Sequence, residues 1–482
     1  MTSLPPIVVG VSRFFCSLLF VVGLAGGFAA GKPNIVLIMC DDLGWGDVGF
    51  NGNKIIRTPH LDAMAKAGLK FNRFYAAAPV CSPTRGSCVT GRHPYRYGIP
   101  FANSGHMKPE ELTLAELLKK QGYTIGHFGK WHLGSVRRGS PASPGANGFD
   151  QWISAPNFYD NDPIFSVQGK ATSFEGESSM VTALASLAFI EKAVADKKPF
   201  LAVVWFGSPH GPHRAVEEDR AHYKELPERD QHYLGEVTGM DRAFGTLREK
   251  LDEYGIRENT ILWYCSDNGA LPKVGSTGGH RGNKSKVYEG GLLVPAILEW
   301  PARIVKPRVT TMRCITSDIY PTLLEIAGVK IEKQPVLDGI SLLPLIEGKS
   351  EKRTKPLGFW DTTAPGISTP SAKWMLELLE AQQKGRDLMP NPSSLNAAKL
   401  PDPKHPTDSF PGHAAWIKGD WKLHRIQGKG AGNAKWELYN LAIDRGESQD
   451  VLAREPARTR KMQAGLERWL ESVARSLNGE DY

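Results

Sequence analysis

Apolar runs and amphipathic stretches alternate along most of this chain. Runs rich in β-branched and aromatic residues predict buried strands at residues 34–40, 123–128, 200–206 and 260–265. Apolar residues at helical spacing predict helices at residues 59–66, 112–120, 180–195 and 234–251. Such alternation of strands and helices is typical of an α/β fold with a mostly parallel sheet flanked by helices.

The pattern changes after residues 321–328, and a smaller unit is predicted at residues 346–482. Short alternating segments around Trp421 and Trp436 predict an antiparallel sheet, and residues 456–477 predict a closing amphipathic helix. We therefore expect a large α/β domain at residues 31–345 and a C-terminal α+β subdomain at residues 346–482. A Pro-rich stretch at residues 364–407, with one helical piece at 372–383, is interpreted as an insertion in that subdomain.

Residues 1–30 have the composition of a secretory signal peptide. Arg13 precedes an apolar stretch that ends in small residues near Ala29 and Ala30. The apolar stretch is short for a membrane-spanning helix, so we expect cleavage and no stable membrane span afterwards. The mature protein is expected to be exported, to a periplasm or to the medium, with five cysteines whose pairing the sequence does not define.

Composition narrows the class of partner only slightly. The 482 residues are 41% hydrophobic and 23% charged, as in an ordinary globular protein, and the formal net charge is +8. Excess positive charge is compatible with polyanionic partners in general. Lys and Arg are scattered, however, without an aromatic-spaced basic stripe or zinc-finger spacing, so nucleic acid is not an expected partner.

Polar residues follow each of the four predicted strands. They are Asp41 and Asp42, Lys130 and His132, His210 and His213, and Asp267 and Asn268. Because ligands of open α/β sheets bind outside the carboxyl ends of the strands, we expect these groups to converge on one rim. Carboxylate and amide oxygens favour Ca²⁺, and the absence of paired cysteine ligands or a His-x-x-x-His pattern disfavours zinc.

The run Cys81-Ser82-Pro83-Thr84-Arg85 is a second candidate for chemistry. A lone cysteine before a Ser-Pro turn is usually a small buried hydrophobe. The segment nevertheless predicts a helix start, with Cys81 or Ser82 near the N-cap and Pro83 at the first helical position. A helix N-terminus favours bound anions, and Arg85 would lie one turn further along.

Several motifs, in order, resemble those of the type I sulfatases, in particular the arylsulfatase A and N-acetylgalactosamine-6-sulfatase branch. They are residues 34–49, 58–62, 81–92, 126–134, 208–213, 266–269 and 288–291, with 420–423 and 437–441 near the C-terminus. The resemblance implies an alkaline-phosphatase-like fold, one Ca²⁺ and conversion of Cys81 to formylglycine by a maturation enzyme.

The resemblance also implies a role for each candidate residue. Asp41, Asp42, Asp267, Asn268 and the modified Cys81 would bind calcium, Arg85 and Lys130 would stabilise the formylglycine hydrate, His132 would hydrogen-bond to it, and His210 and Lys284 would hold the sulfate. Lys286 competes with Lys284 for that role, and His213 is expected to shape a substrate subsite.

The expected activity is hydrolysis of sulfate esters, with a sulfated carbohydrate or an aryl sulfate as substrate. Within the hydrolases, the alternative is a phosphomonoester or phosphonate hydrolase of the alkaline phosphatase superfamily. An alternative of another class is a non-catalytic glycan-binding relative. The sugar and the position of its sulfate depend on loops such as residues 157–177 and 364–407, which the sequence does not decode.

Overall fold

The computed structural model describes residues 31–102, 104–362, 369–386, 404–428 and 433–482. The predicted signal peptide and half of the predicted insertion, residues 364–368 and 387–403, lie outside these residues. The described residues from Lys32 to Tyr482 form one compact unit. The boundary at residue 345 stays a prediction.

The described residues form two sheets. The strands are β1 Asn34–Cys40, β2 Leu69–Tyr75, β3 Thr124–Lys130, β4 Gln151–Ala155, β5 Ile164–Val167, β6 Lys170–Ser173, β7 Phe200–Trp205, β8 Thr260–Ser266, β9 Leu293–Glu299, β10 Arg308–Thr310, β11 Cys314–Ile315, β12 Leu357–Asp361, β13 Gly412–Lys418, β14 Trp421–Gln427 and β15 Lys435–Asn440. The helices are α1 Pro59–Ala67, α2 Cys81–Thr90, α3 Pro94–Tyr97, α4 Leu114–Lys120, α5 Ser178–Ala195, α6 Glu217–Arg220, α7 Glu228–Glu253, α8 Glu289–Leu292, α9 Ile319–Ile326, α10 Leu343–Ile346, α11 Ser371–Gln383 and α12 Pro456–Leu477.

The large sheet is mixed and mostly parallel around its centre. Its strand order is β10-β2-β9-β8-β1-β7-β3-β4-β5-β6, with β11 beside β2. The neighbours β8-β1-β7-β3-β4 pair in parallel, while β9 runs antiparallel to both β8 and β2. Among the residues described, the structure thus confirms the predicted mixed α/β sheet.

The central strands are buried on both faces, because helices cover both sides of the sheet. In β1, Ile35, Leu37 and Met39 pack in one apolar core. The alternate residues Val36 and Ile38 pack in a second core with α5 and α7. Side chains of a strand point alternately to opposite faces, so a continuous apolar run is what a doubly covered strand requires.

Two predicted boundaries shift in the structure. Helix α7 begins at Glu228 rather than at residue 234, because its acidic first turn suits a helix N-terminus although it lacks apolar periodicity. Strand β3 continues to Lys130, since Gly129 and Lys130 keep their pairing with β4.

The small sheet has the order β12-β13-β14-β15 and is antiparallel throughout. Helix α12 packs its apolar face on it through Leu466 and Leu470. It also contacts the α3 region, where the Arg96 guanidinium donates to the Ser476 hydroxyl at 2.7 Å. This confirms the predicted C-terminal sheet and closing helix. Helix α11 confirms the helical piece expected at residues 372–383.

Helix α5 is long and apolar enough to cross a membrane by length and composition, and no other described helix is. Of the residues of this helix, 56% are buried inside the protein, and Leu187 and Ile190 pack in the core beside β7. Its position is that of a core helix.

Buried His93 is expected to make stability depend on pH. The ring is 3% exposed and lies against Trp469 of α12. Burial and the nearby Arg96 charge lower the pKa of His93 to about 3, although the Asp338 carboxylate acts in the opposite direction. Below its ordinary pKa of ~6.5, the His93 imidazole binds a proton in the unfolded chain but not in the folded one. The folded state is therefore stabilised at neutral pH, and this stabilisation is lost as the pH falls from ~6.5 towards 3.

The variant His93→Gln removes this proton-linked difference. When the pH is lowered from 7 to 5, the free energy of unfolding should fall by ~2 kcal/mol less in the variant than in the natural protein. Urea unfolding at both pH values measures the two differences. Equal losses in the two proteins would contradict the assignment.

Candidate active site

Four neighbouring strands carry the candidate residues to one edge of the large sheet. Cys40 of β1 pairs in register with Ser266 of β8, so Asp41 and Asp267 leave the sheet side by side. The Asp41 N–H donates to the Ser208 carbonyl at 3.0 Å, which holds the segment after β7 against the end of β1. Strand β3 ends at Lys130 on the same edge. The predicted convergence of four strand ends is confirmed.

Cys81 lies in the middle of this group. Its Sγ and one carboxylate oxygen each of Asp41 and Asp267 all lie within 4.8 Å of one another. The two aspartates are fully buried and Cys81 is 3% exposed. Three potential metal ligands are therefore gathered in one enclosed place.

Helix α2 begins at Cys81 itself, which corrects the expected cap. The N-cap is Val80, which offers no capping side chain, and Pro83 is the third helical residue. Thr84 orders the approach instead, because its hydroxyl both donates to the Ala78 carbonyl and accepts from the Ala78 N–H, each at 3.0 Å. All ten residues of α2 are buried. Burial raises the pKa of the Cys81 thiol to about 12, so its thiolate is scarce at neutral pH.

Arg85 lies one helical turn after Cys81, as predicted, but its guanidinium binds the carboxylate of Asp267. Its Nε and Nη2 donate to Oδ2 of Asp267 at 3.0 and 2.7 Å. The guanidinium also lies 5.2 Å from the ring of Trp205, the last residue of β7. These contacts restrict the orientation of Asp267. The contact with Trp205 was not predictable from the sequence, because Trp205 lies within an apolar strand.

Two lysines pair with the two aspartates after β1. Lys130 Nζ lies 2.5 Å from Asp41 Oδ2, and Lys284 Nζ lies 2.6 Å from Asp42 Oδ2. Lys286, the competitor for the role of Lys284, is exposed. The structure thus brings Lys284 to the cluster.

The histidines occupy different positions. His132 is 7% exposed with a left-handed backbone (φ 53°), and burial and Lys130 hold its pKa well below the ordinary value, so the ring is neutral. His210 Nε2 lies 3.7 Å from Asp42 Oδ2. His213 Nδ1 lies 3.6 Å from Glu236 Oε2, and His213 is not a member of the Asp41–Cys81–Asp267 cluster.

Phe158 is a site residue that sequence reasoning missed. Its ring stacks on that of His210, with centroids 5.0 Å apart and an interplanar angle of 28°. It lies in the 157–177 segment, which has no motif that would single it out. The expectation of a loop there is corrected, because residues 164–173 form the antiparallel strands β5 and β6. The contact restricts the orientation of the imidazole beside Asp42.

The pKa values of Asp42 and Asp267 are shifted in opposite directions, because positive charge is concentrated around Asp42. Burial alone would raise the pKa of Asp42, but Lys284, His210 and Lys130 together hold it below its usual range. Burial and the neighbouring Asp41 carboxylate raise the pKa of Asp267 above its usual range despite Arg85. The oxygens around Asp267 are thus crowded with like charge, which a cation would relieve.

Two buried oxygens fit a hard cation. Asp41 Oδ1 and Asn268 Oδ1 have no hydrogen-bond partner among the described residues. Asn268 Nδ2 donates to Asp42 Oδ1 at 2.9 Å, which ties the amide to the same cluster and leaves its carbonyl oxygen available. Carboxylate and amide oxygens of this kind are ligands that Ca²⁺ prefers.

The site has a buried wall and a more open side. Asp41, Asp42, Arg85, Lys130 and Asp267 are completely buried. The side chains of Lys284 and His210 are 18% and 28% exposed. A ligand that approaches the cluster therefore meets these two residues first.

Comparison with known proteins agrees with this geometry. The profile of the family described as Sulfatase matches residues 33–329. The chain is 33% identical over 388 residues to the N-acetylgalactosamine-6-sulfatase of Mus musculus, covering 71% of this chain and 72% of the relative. It is 32% identical over 331 residues to the ulvan-active sulfatase of Formosa agariphila, covering 62% of each chain.

Solved structures agree as well. The crystal structure of Ps i-CgsB in complex with k-i-k-neocarrahexaose matches with a TM-score of 0.76 and 26% identity, covering 92% of this chain and 94% of that one. The phosphonate monoester hydrolase of Agrobacterium radiobacter matches with a TM-score of 0.59 and 17% identity, covering 92% and 96%, and shares the fold alone. The matching profile, the curated relatives and the strand-end site together show that this chain belongs to the sulfatase family and is a sulfuric ester hydrolase.

Proposed function

We propose that this sulfatase cleaves sulfate esters of sulfated glycans, with Cys81 converted to formylglycine and one Ca²⁺ bound beside it. The observation that carries the proposal is the enclosed cluster of Asp41, Cys81 and Asp267, whose ligand atoms lie within 4.8 Å of one another. Asp42 and Asn268 complete the proposed calcium ligands. When bound, the ion would supply charge stabilisation at the sulfate oxygens.

The chemistry of the donor set links the modification to the metal. Sulfur is a soft ligand, whereas calcium takes oxygen ligands almost without exception. Conversion to formylglycine by the maturation enzyme, with an external two-electron oxidant and release of the sulfur as sulfide, would place an oxygen there and make the donor set all-oxygen. The hydrate of formylglycine would also supply the nucleophilic oxygen that a buried thiol of high pKa does not.

Charge balance supports binding of an anionic ester. Asp41, Asp42 and Asp267 are matched by Arg85, Lys130 and Lys284 within hydrogen-bond or ion-pair distance. A divalent cation added to this balanced group would leave net positive charge for a sulfate monoester. In a water-poor site such charges act more strongly than at the surface.

Each remaining side chain has a distinct part in this proposal. Arg85 orients Asp267, while Lys130 does the same for Asp41. Lys284 and His210, on the open side, hold the sulfate group. His132, whose ring is neutral, is assigned to proton uptake at the modified residue.

Burial of α2 sets a condition on maturation. Cys81 is 3% exposed and every residue of its helix is buried, so a modifying enzyme has no access to it in the folded protein. We infer that the maturation enzyme acts on Cys81 before the chain folds. A folded, unmodified protein should stay unmodified when the enzyme is added afterwards.

Export is part of the same proposal. Residues 1–30 have the features of a signal peptide, and we infer that the mature protein begins after Ala29 or Ala30. N-terminal sequencing of the protein secreted by its host would check the cleavage position.

Activity on matched esters tests the reaction class against the phosphatase and phosphonatase alternative. We expect kcat/KM for nitrophenyl sulfate to exceed that for nitrophenyl phosphate and for a phenylphosphonate ester. Faster cleavage of either phosphorus ester would contradict the proposal. A panel of sulfated oligosaccharides, including carrageenan and ulvan fragments, then identifies the glycan.

The two competing lysines provide a matched pair of variants. Lys284→Met should lower kcat/KM for nitrophenyl sulfate by ~10²–10³-fold, because it removes the cation beside Asp42 at the open side of the site. Lys286→Met, two residues away and exposed, should change kcat/KM by less than about threefold. The reverse ranking would show that Lys286 holds the sulfate.

A further inference from the structure

A cavity rich in positively charged side chains is lined in part by the loops that also carry the candidate active site. Its volume is about 370 Å³, within the size range of pockets for small ligands. Its lining includes Lys70, Arg73, Arg313 and Arg445, with Trp45 and His280. We call it the basic cavity.

The loops that carry the candidate site also border the basic cavity. Trp45 follows Asp42 by three residues, and His280 precedes Lys284 by four. The two rings meet edge to face with centroids 5.4 Å apart, so they bring the two loops together. Tyr75, another lining residue, ends β2 at the catalytic edge of the sheet.

Positive charge in the basic cavity exceeds the negative charge available to neutralise it. Arg73 and Arg313 share a single oxygen, Asp420 Oδ1, at 3.2 and 2.9 Å. Lys70 and Arg445 make no ion pair with any described residue, and Lys70 Nζ donates only to the Phe50 carbonyl.

The one carboxylate in the lining is already engaged. Glu289 accepts a hydrogen bond from the Tyr75 hydroxyl at 2.8 Å and one from Lys422 Nζ at 2.9 Å. The ammonium of Lys70 and the guanidinium of Arg445, neither of which has a carboxylate partner among the described residues, are suited to a sulfate or a carboxylate group. Trp45 adds an aromatic surface of the kind that packs against a sugar ring.

We propose that the basic cavity is a substrate subsite that binds a second anionic group of the glycan, a sulfate or a carboxylate, while the ester to be cleaved lies at Cys81. The proposal rests on the proposed glycan sulfatase function. It assigns to Lys70, Arg73, Arg313 and Arg445 a role in selecting polyanionic over singly charged substrates.

The test compares two double variants with the same loss of charge. Lys70→Gln/Arg445→Gln neutralises the two cations that lack ion-pair partners, and Lys306→Gln/Arg454→Gln neutralises two exposed cations outside the lining. Substrates are nitrophenyl sulfate and carrageenan oligosaccharides with one or two sulfate groups per disaccharide. A third set, with a uronate in place of the second sulfate, distinguishes the two anionic groups.

We expect the cavity variant to lower kcat/KM for doubly charged oligosaccharides by ~10-fold, mainly through KM, and to leave nitrophenyl sulfate within about twofold. A loss confined to the disulfated or to the uronate set identifies which group is bound. Equal losses on all substrates, no loss on any, or the same loss in the control variant would overturn the proposal.

Measurements on the natural protein distinguish failure of the proposed subsite from failure of the proposed function. If it hydrolyses nitrophenyl sulfate but no member of the panel of sulfated oligosaccharides, the glycan assignment itself is wrong and the subsite is withdrawn with it. If it cleaves the oligosaccharides and the cavity variant behaves like the natural protein, only the subsite is wrong.

Discussion

Replacing Cys81 by alanine is expected to lower kcat for nitrophenyl sulfate by ~10⁴-fold or more, because it removes the residue proposed to carry the nucleophile. The protein should still fold, since the side chain loses only its sulfur and Arg85 keeps its hydrogen bonds to Asp267. The measurement is steady-state hydrolysis by protein produced in a host that contains the maturation enzyme.

Cys88→Ala is the matched control for this variant. Cys88 lies seven residues further along the same helix, is 1% exposed and packs in the apolar core. All five described cysteines are free, so neither substitution breaks a disulfide. Cys88→Ala should retain activity within a few-fold, at a stability cost of ~1 kcal/mol. Comparable activity of Cys81→Ala and Cys88→Ala would contradict the assignment.

The variant Asp41→Asn is expected to lower kcat/KM by ~10³-fold and to abolish the response to added Ca²⁺. Asparagine keeps the shape of the side chain but removes the charge next to Lys130 and weakens the Oδ1 site, which accepts no hydrogen bond from the residues described. In the natural protein, chelation by EGTA should lower both activity and the thermal midpoint, and Ca²⁺ should restore them.

Asp47→Asn tests whether any buried aspartate of this loop would give the same result. Asp47 accepts hydrogen bonds from the Gly44 and Ser276 N–H groups and from the Tyr233 hydroxyl, away from the Asp41–Cys81–Asp267 cluster. Burial raises its pKa to about 7, so the loss of charge is a small change, and the main cost of the substitution is the loss of the hydrogen bonds that one oxygen accepts. The variant should keep its Ca²⁺ response. A lost response in Asp47→Asn, or a retained one in Asp41→Asn, would refute the assigned ligands.

Much of the candidate site was predictable because it depends on strand ends. The continuous apolar runs predicted β1 and β8, because a strand covered on both faces needs apolar residues at every position. Residues that directly follow two paired parallel strands lie next to each other at the same edge of the sheet. The register of Cys40 with Ser266 places Asp41 beside Asp267, as expected. Arg85 was also placed correctly, since one helical turn separates it from Cys81.

Other contacts depend on tertiary structure that periodicity does not encode. Lys284 and Lys286 lie two residues apart in a loop without regular pattern, and the left-handed Ser285 between them (φ 70°) helps decide which one reaches Asp42. Lys422, which holds Glu289, lies 133 residues away in the chain. The Val80 cap was missed because Thr84, rather than a capping side chain, orders the start of α2.

The central claim, that Cys81 is the catalytic residue only after conversion to formylglycine, is tested most directly by mass spectrometry of the peptide that contains it. Protein samples produced with increasing amounts of maturation enzyme should show kcat rising in proportion to the fraction of aldehyde at Cys81, and no activity at zero conversion. Full sulfatase activity in a sample whose Cys81 is entirely thiol would contradict the account.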